Sequence, residues 1–363
     1  MSKRGVNPYL LLPVGLLLAG VAPQAIEAQT SSHRRVFPVP VLGYAPETSL
    51  MFGVALVGVV SRDSQGPAKR PSTGLLTAIY TLKRQYQVEL TLDHWTAGDA
   101  WHLVGYAGVE RFPSQFNGIG TTSTDSSEIY TPQRLTLSVG AQRRIAPQLF
   151  AGASYWYRDA RMVETESGGR LAPGTIPGSR GGTETILTLE GDWDTRDALY
   201  RTRHGVYLRL AYGIADRVLG AGFQYRRYTA DGRWYRSLGA ATVLAVQVVV
   251  DATDGTVPFD LLPHLGGSGI LRGFAQPRFT DGAMSAAQIE LRAPLKGIVS
   301  LVAFGGAGAT APSAGDLPRT PWRAAGGAGI RLLLDRTNGL QMRCDYALAA
   351  GSSGFYIGAG DAF

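Results

Sequence analysis

Cysteine is all but missing from this chain. Cys344 is the single one in 363 residues, so neither an internal disulfide nor a cysteine-built zinc site is available; it reads as a small apolar side chain. Charge is scarce as well, at 17% of residues against the usual quarter. The net balance is +7, but the arginines are scattered. The basic stripe with interleaved aromatics that nucleic acid requires is absent, so no nucleic-acid partner is expected. The five histidines, at 33, 94, 102, 204 and 264, are dispersed; His94 and His102 flank a short turn, yet no third ligand accompanies them. Neither a metal nor another cofactor is expected. Beyond residue 21 no run of about 18 apolar residues occurs, so no later helix is expected to cross a bilayer. Internal repeats and low-complexity tails are missing too.

The start of the chain reads as a targeting segment. Lys3 and Arg4 are followed by an apolar core over residues 10–21, and Ile26-Glu27-Ala28 offers a small residue for cleavage before Gln29. That core is too short for a spanning helix, which needs about 20 residues, and no cysteine follows it to carry a lipid. The expectation is a signal peptide over 1–28 and a single domain over 29–363. An exported chain without a spanning helix is either soluble or a β-barrel in an outer membrane.

What the chain does have is 47 glycines, 16 tyrosines and six tryptophans, set in segments that alternate with period two. Tyr86, Val88, Leu90 and Leu92 share one face, with Gln87, Glu89, Thr91 and Asp93 on the other. Leu135, Leu137 and Val139 oppose Arg134, Thr136, Ser138 and Gln142, and Leu187, Leu189 and Trp193 oppose Thr188, Glu190 and Asp192. Several such segments run for 10 to 14 residues with Tyr or Trp at their ends, longer than the usual soluble strand of about 5–6. They suit strands that cross a bilayer at a tilt between aromatic girdles. Sixteen strands are predicted, near 36–45, 49–62, 72–83, 86–96, 100–112, 131–145, 148–161, 184–195, 205–216, 219–231, 233–251, 283–293, 297–308, 322–334, 339–350 and 354–363. The expected fold is therefore all-β, a single 16-stranded antiparallel transmembrane β-barrel. Parity supports it. The long connections, near 113–130, 162–183, 252–282 and 309–321, share one side. The other side carries mostly short ones, such as 97–99, Ala146-Pro147, Asp231-Gly232 and 336–338, as outer-membrane barrels do. The connection near 61–71 is a moderate exception.

One connection stands apart. From 251 to 281 the alternation stops for about 30 residues, against a usual connection of about 4–6. It carries Gly266-Gly267-Ser268-Gly269-Ile270-Leu271-Arg272-Gly273-Phe274. The glycine spacing is not that of a phosphate loop, because no helix pattern follows and no Lys-Ser/Thr closes it. Leu271, Arg272, Gly273 and Phe274 instead offer a means of pinning: a guanidinium with five donors, a permissive glycine and an aromatic anchor. Asp192, Asp194 and Asp197 lack the Gly and Glu positions of a calcium loop and read as inward acids running into a turn.

At Leu271-Arg272-Gly273-Phe274 the chain resembles the BamA/TamA family, the bacterial surface-antigen superfamily of outer-membrane barrels. That family carries an Arg-Gly-Phe or Arg-Gly-Tyr motif in the long loop between strands 11 and 12, the connection in which alternation places it here. Gly43-Tyr44-Ala45-Pro46-Glu47-Thr48 resembles the family's first hairpin. Asp192-Trp193-Asp194-Thr195-Arg196-Asp197 with Thr202-Arg203-His204-Gly205 resembles a recurrent periplasmic turn, and Leu340-Gln341-Met342-Arg343-Cys344-Asp345-Tyr346-Ala347 resembles the penultimate strand. The ending 354–363, with Phe355, Ile357 and the terminal Phe363, is similar to a C-terminal targeting strand. There are two departures. Family members commonly carry POTRA domains ahead of the barrel, and this sequence reads as the subgroup without them. The family's Phe-x-Asp-x-Gly motif on strand 13 corresponds here to Phe304-Gly305-Gly306-Ala307-Gly308, so Gly306 stands where the acid facing the loop arginine is expected. A buried Arg272 still requires an acid. Asp345 and Glu290, which alternation turns inward with Arg343 and Arg292, are the candidates.

The resemblance implies an outer-membrane location, the long loop folded inward as a plug, and a role in outer-membrane biogenesis: insertion or translocation of proteins. Its partners would be outer-membrane lipids, client proteins and a separate periplasmic or inner-membrane protein. A short first strand with Pro38 and Pro40, followed by Pro46, weakens the ladder at the seam with the last strand, where lateral opening would pair an incoming strand. A passive porin is the alternative, and an outer-membrane enzyme a lesser one: no Ser–His pairing stands out by spacing, and no catalysis is expected.

Overall fold

The computed structural model describes residues 32–45, 49–62, 70–120, 127–239, 241–274, 277–334 and 339–363. The expected signal peptide and residues 46–48 of the first-hairpin stretch lie outside them. Among these residues nineteen strands follow in order. The first half comprises β1 (Ser32–Ala45), β2 (Ser49–Arg62), β3 (Ser72–Thr81), β4 (Tyr86–Trp95), β5 (Trp101–Arg111), β6 (Ser114–Phe116), β7 (Glu128–Ala146), β8 (Leu149–Thr165) and β9 (Gly181–Asp194). The second half comprises β10 (Gly205–Ala215), β11 (Tyr225–Leu238), β12 (Thr242–Gly255), β13 (His264–Leu265), β14 (Phe279–Thr280), β15 (Ala283–Lys296), β16 (Val299–Ala311), β17 (Arg323–Leu333), β18 (Gln341–Ala349) and β19 (Ser352–Ala359).

Seventeen of these form one sheet, and β13 with β14 forms a separate two-stranded pair. In the large sheet each long strand pairs antiparallel with the next, from Ser32↔Arg62 at one end to Ala349↔Ser352 at the other. Among the described residues nineteen strands stand beside the expected sixteen. The surplus is three pieces of two or three residues: β6 continues the ladder on β7 past the end of β5, and β13–β14 is a hairpin inside the long loop. Among the described residues no register joins β1 to β19.

One turn is corrected. Asp-Gly is a strong local hairpin signal, yet Asp231 and Gly232 lie inside β11, paired with Val249 and Val248; β11 runs on to Leu238 and β12 begins at Thr242. The reason is lateral. The Asp231 carboxylate accepts Arg233 Nη2 at 2.6 Å and, across the ladder, Gln247 Nε2 at 2.9 Å. It is therefore an inward side chain with partners rather than a turn residue.

Alternation sorts the two faces of the sheet. Leu90, Leu92, Leu135, Leu137, Leu189 and Trp193 are exposed on the outer face, while Gln142, Glu190, Asp192, Gln247, Gln288 and Arg331 are buried on the inner one. Apolar residues outside and ion pairs inside are the reverse of a soluble domain and match a lipid-facing wall around a polar interior. No helix among the described residues is long and apolar enough to cross a membrane. The described parts of the longer connections, 112–120, 166–180, 256–274 with 277–282, and 312–322, lie on one side of the sheet. They form the cap from which the candidate site descends.

Candidate functional site

The loop between β12 and β15 folds inward. It begins with a 3-10 turn at Phe259–Leu261, forms the β13–β14 hairpin, and between these strands sends a tip down to Arg272. Leu265, Leu271, Phe274 and Phe279 pack with Val249 and Met284 of the inner wall into a buried apolar cluster. That burial ties the loop to the β12–β15 wall, each fully buried side chain being worth about 1.5–3 kcal/mol. The tip is conformationally demanding. Leu271 has φ +55 and Gly273 has φ +117, and a Cβ on Gly273 would lie 3.0 Å from the carbonyl carbon of Leu348. Glycine is required there for both φ and space. The Gly273 N–H donates to the Tyr356 hydroxyl at 2.9 Å, and that hydroxyl donates to the Phe274 carbonyl at 3.2 Å, so β19 also holds the tip.

Arg272 is the centre of a buried ion network. Its Nη1 donates to Asp345 Oδ2 at 2.6 Å and its Nη2 to Glu290 Oε1. Both acids are fully buried. The guanidinium carbon lies 3.6 Å from the centroid of the Phe304 ring, a cation–π contact in a desolvated setting. The acids do not serve Arg272 alone. Glu290 Oε2 accepts Arg292 Nε at 2.9 Å, and Asp345 Oδ1 accepts Arg331 Nη1 at 2.5 Å. Asp361 extends the network, taking Arg292 Nη1 at 3.0 Å and Gln341 Nε2 at 2.6 Å. Gly306 is filled from a neighbour: a Cβ there would meet the Ala287 carbonyl at 2.8 Å and Gln288 Cβ at 2.9 Å. Gln288 itself ties down the loop by donating to the Gly269 carbonyl at 2.8 Å. The loop arginine thus has acids from β15 and β18 in place of one from β16.

The ending differs from its expected course. β19 stops at Ala359, Gly360 takes φ +77, and 360–363 turn inward. Phe355 is exposed on the outer face, Ile357 is partly buried, and Phe363 is buried against Tyr235 and Ala245, its backbone oxygen accepting Arg292 Nη2 at 3.0 Å. Phe363 is a residue of the inner network.

A second tie, not foreseen from the sequence, holds the other end of the same loop. Asp260 Oδ2 accepts Arg134 Nη2 at 2.9 Å and Arg158 Nη1 at 2.8 Å, and Arg134 also reaches Glu110 at 2.8 Å. Burial alone would raise the Asp260 carboxyl, but Arg158 and Arg134 outweigh it and hold it below the usual carboxylate range. Beside it Phe259 packs against Phe116, Tyr130 and Leu171 from the neighbouring connections and their strands. The loop therefore spans the interior, tied by an acid to the β7–β8 wall and by an arginine to the β15–β18 wall. Asp260 gives no sequence signal of its own, since its partners lie 126 and 102 residues away.

The remaining candidates separate. His102 faces inward to Gln142 and Asp93, while His94 faces outward to Ser72, so the two do not converge. Ser72 Oγ lies 3.2 Å from His94 Nδ1 but accepts the Trp95 N–H at 3.0 Å, and no carboxylate orients His94 among the described residues; this is a strand-end contact without the parts of a catalytic triad. Asp194 is paired with Arg70 and Arg196, at 2.9 and 2.8 Å. No group of three His, Cys, Asp or Glu able to hold a metal occurs among the described residues.

Comparison with known proteins agrees with this geometry. The crystal structure of BamA from Haemophilus ducreyi lacking POTRA domains 1-3 is similar over 92% of this chain and 70% of its own, at 16% identity and a TM-score of 0.57. CdiB from Acinetobacter baumannii is similar over 91% of this chain at 10% identity and a TM-score of 0.55; the chain spans 60% of CdiB. At these identities the likeness is one of fold. A search of curated proteins finds no match. The model of the Omp85 superfamily domain matches residues 70–363, most of the chain and all of the ion network around Arg272: this protein belongs to the Omp85 superfamily.

Proposed function

We propose that this protein is an outer-membrane barrel, closed between β1 and β19 as sixteen membrane strands, that acts in outer-membrane biogenesis by inserting or translocating proteins. Members of the superfamily mediate outer-membrane protein insertion or secretion. The observation that carries the reading is the 256–282 loop, folded inward and tied by Arg272 to Glu290 and Asp345. An inward span fixed at both ends favours an occluded interior over an open channel. In this reading the loop blocks the interior and braces the wall, and work on clients takes place at the seam. β1 pairs along its whole length with β2, while Pro38 and Pro40 cannot donate to a partner on its other edge. Such an edge opens readily and presents unpaired backbone groups to an incoming strand. The partners are outer-membrane lipids, client chains and a separate periplasmic or inner-membrane protein that delivers them.

The test is a disulfide scan of the seam. Cysteine pairs placed along β1 and β19 in a Cys344→Ser background should form cross-links, and cross-linked protein should lose insertion or secretion activity that reduction restores. Full activity with the seam cross-linked would refute the proposal. Large stable channels in planar bilayers from the unmodified protein would favour the porin.

A further inference from the structure

We propose that the cap end of the inward loop is a releasable latch, in which Arg158 has two seats: Asp260 on the loop and Glu184 on the wall. As the structure stands, the loop holds it. Arg158 donates to both Asp260 oxygens, Nη1 to Oδ2 at 2.8 Å and Nη2 to Oδ1 at 3.2 Å. Yet its direct cross-strand partner is Glu184 on β9, and opposite charges set across a ladder are near enough to pair without backbone movement. Glu184 is left idle instead. It is 1% exposed, and neither of its carboxylate oxygens accepts a hydrogen bond, although it lies within the fields of both Arg158 and Asp260.

A buried carboxylate without a partner is costly, so the closed state carries a penalty that release removes. With the loop docked, Arg134 and Arg158 face three acids, Glu110, Glu184 and Asp260. Arg134 is already bonded to its own cross-strand partner, Glu110, at 2.8 Å. When Asp260 withdraws to water, Arg158 turns to Glu184, and each wall arginine then has one wall acid. Arg227, taken up by Asp251, adds only a 3.3 Å contact to the Leu261 carbonyl. The burial of Phe259 opposes release and keeps the latch closed at rest. At the inner end no acid waits idle. There Arg272, Arg292, Arg331 and Arg343 face Glu290, Asp345 and Asp361, and every oxygen of those three carboxylates already accepts a hydrogen bond. The loop therefore opens from the cap end, with Arg272 still seated. This latch rests on the reading of the loop as a plug, but its motion is measured without an insertion or channel assay, so the two can fail separately.

The experiment uses the full chain folded in detergent and follows hydrogen exchange at Phe259, whose N–H donates to the Pro177 carbonyl at 2.9 Å and so reports docking of the loop end. E184Q removes the charge of the second seat. It should slow exchange at Phe259 about tenfold, the worth of one charge-assisted contact, while exchange at 270–274 stays as in the wild type. It should also raise the unfolding midpoint, since an idle buried charge is gone. In a D260N background Arg158 is already seated on Glu184, so E184Q should no longer slow exchange and should lower the midpoint. That reversal of sign separates a second seat from a merely structural acid, whose removal acts alike in both backgrounds. If E184Q does not fold, E184L should slow exchange likewise; if D260N does not fold, R158Q takes its place, and E184Q should bring no slowing there. Exchange at Phe259 as fast in E184Q or E184L as in the wild type, or the same effect of E184Q in both backgrounds, overturns the proposal.

Discussion

Replacing Asp345 by asparagine tests the network at the point where most of it converges. The two carboxylate oxygens accept Arg331 at 2.5 Å and Arg272 at 2.6 Å. Asparagine keeps the shape but offers one acceptor and an amide NH₂, so one guanidinium would face a donor. The charge is lost as well, leaving Glu290 and Asp361 as the side-chain acids for four arginines. Breaking a buried pair costs about 3–5 kcal/mol, and Asp345→Asn breaks two contacts at once, so the upper part of that range is expected. Arg272→Ala should cost less, near the lower part, because each acid it abandons retains another arginine: Glu290 keeps Arg292 and Asp345 keeps Arg331. The double variant should fall short of the sum by roughly 1–3 kcal/mol, the coupling of residues in one network. Denaturant unfolding of the detergent-folded protein gives the three energies, and limited proteolysis between 266 and 278 reports release of the tip. A Asp345→Asn protein as stable as the wild type, with the loop equally protected, would refute the assignment of Asp345 as the hub.

Gly273→Ala should release the same tip without touching a charge, through strain of about 1–3 kcal/mol from φ +117 and the crowding against Leu348; faster proteolysis of the loop checks this. Gly306→Asp, which restores the acid expected on that strand, should destabilise rather than strengthen the lock, since its Cβ would lie 2.8 Å from the Ala287 carbonyl; a raised unfolding midpoint would contradict this. The Asp260 tie should depend on acid. Its folded carboxyl is held below the ordinary value by Arg158 and Arg134, so its stabilisation is fully present above the unfolded value of about 3.9 and is lost as pH falls through the lower folded value. Asp260→Asn should flatten stability against pH in that window and loosen the 256–262 end of the loop, read by hydrogen exchange.

The period-two pattern was legible because it is local. Each residue's face follows from its neighbours two positions away, so the inward turn of Glu290, Asp345, Arg292 and Arg343 could be read without a fold. Strand limits were less legible where two local signals competed. Asp231-Gly232 has the composition of a turn, and only Arg233 and Gln247, brought alongside in the sheet, make it a strand. Chain order could likewise point to an inward acid for Arg272, but not that Glu290 and Asp345 would both serve it while holding Arg292 and Arg331 as well. Arg331 gives no sequence signal of its own, because an inward arginine is ordinary until its neighbours are known.

What the sequence by itself determined is the wall: which residues face outward, which inward, and that one long glycine-bearing connection interrupts the alternation. The tertiary structure alone decided how that connection is tied. Asp260 meets arginines more than a hundred residues away, Phe363 turns inward to Arg292, and Gly306 admits Gln288 where an acid was expected. The physical reason is that a strand's two faces follow from adjacent peptide units, whereas the pairing of buried charges depends on which strands and loops enclose them.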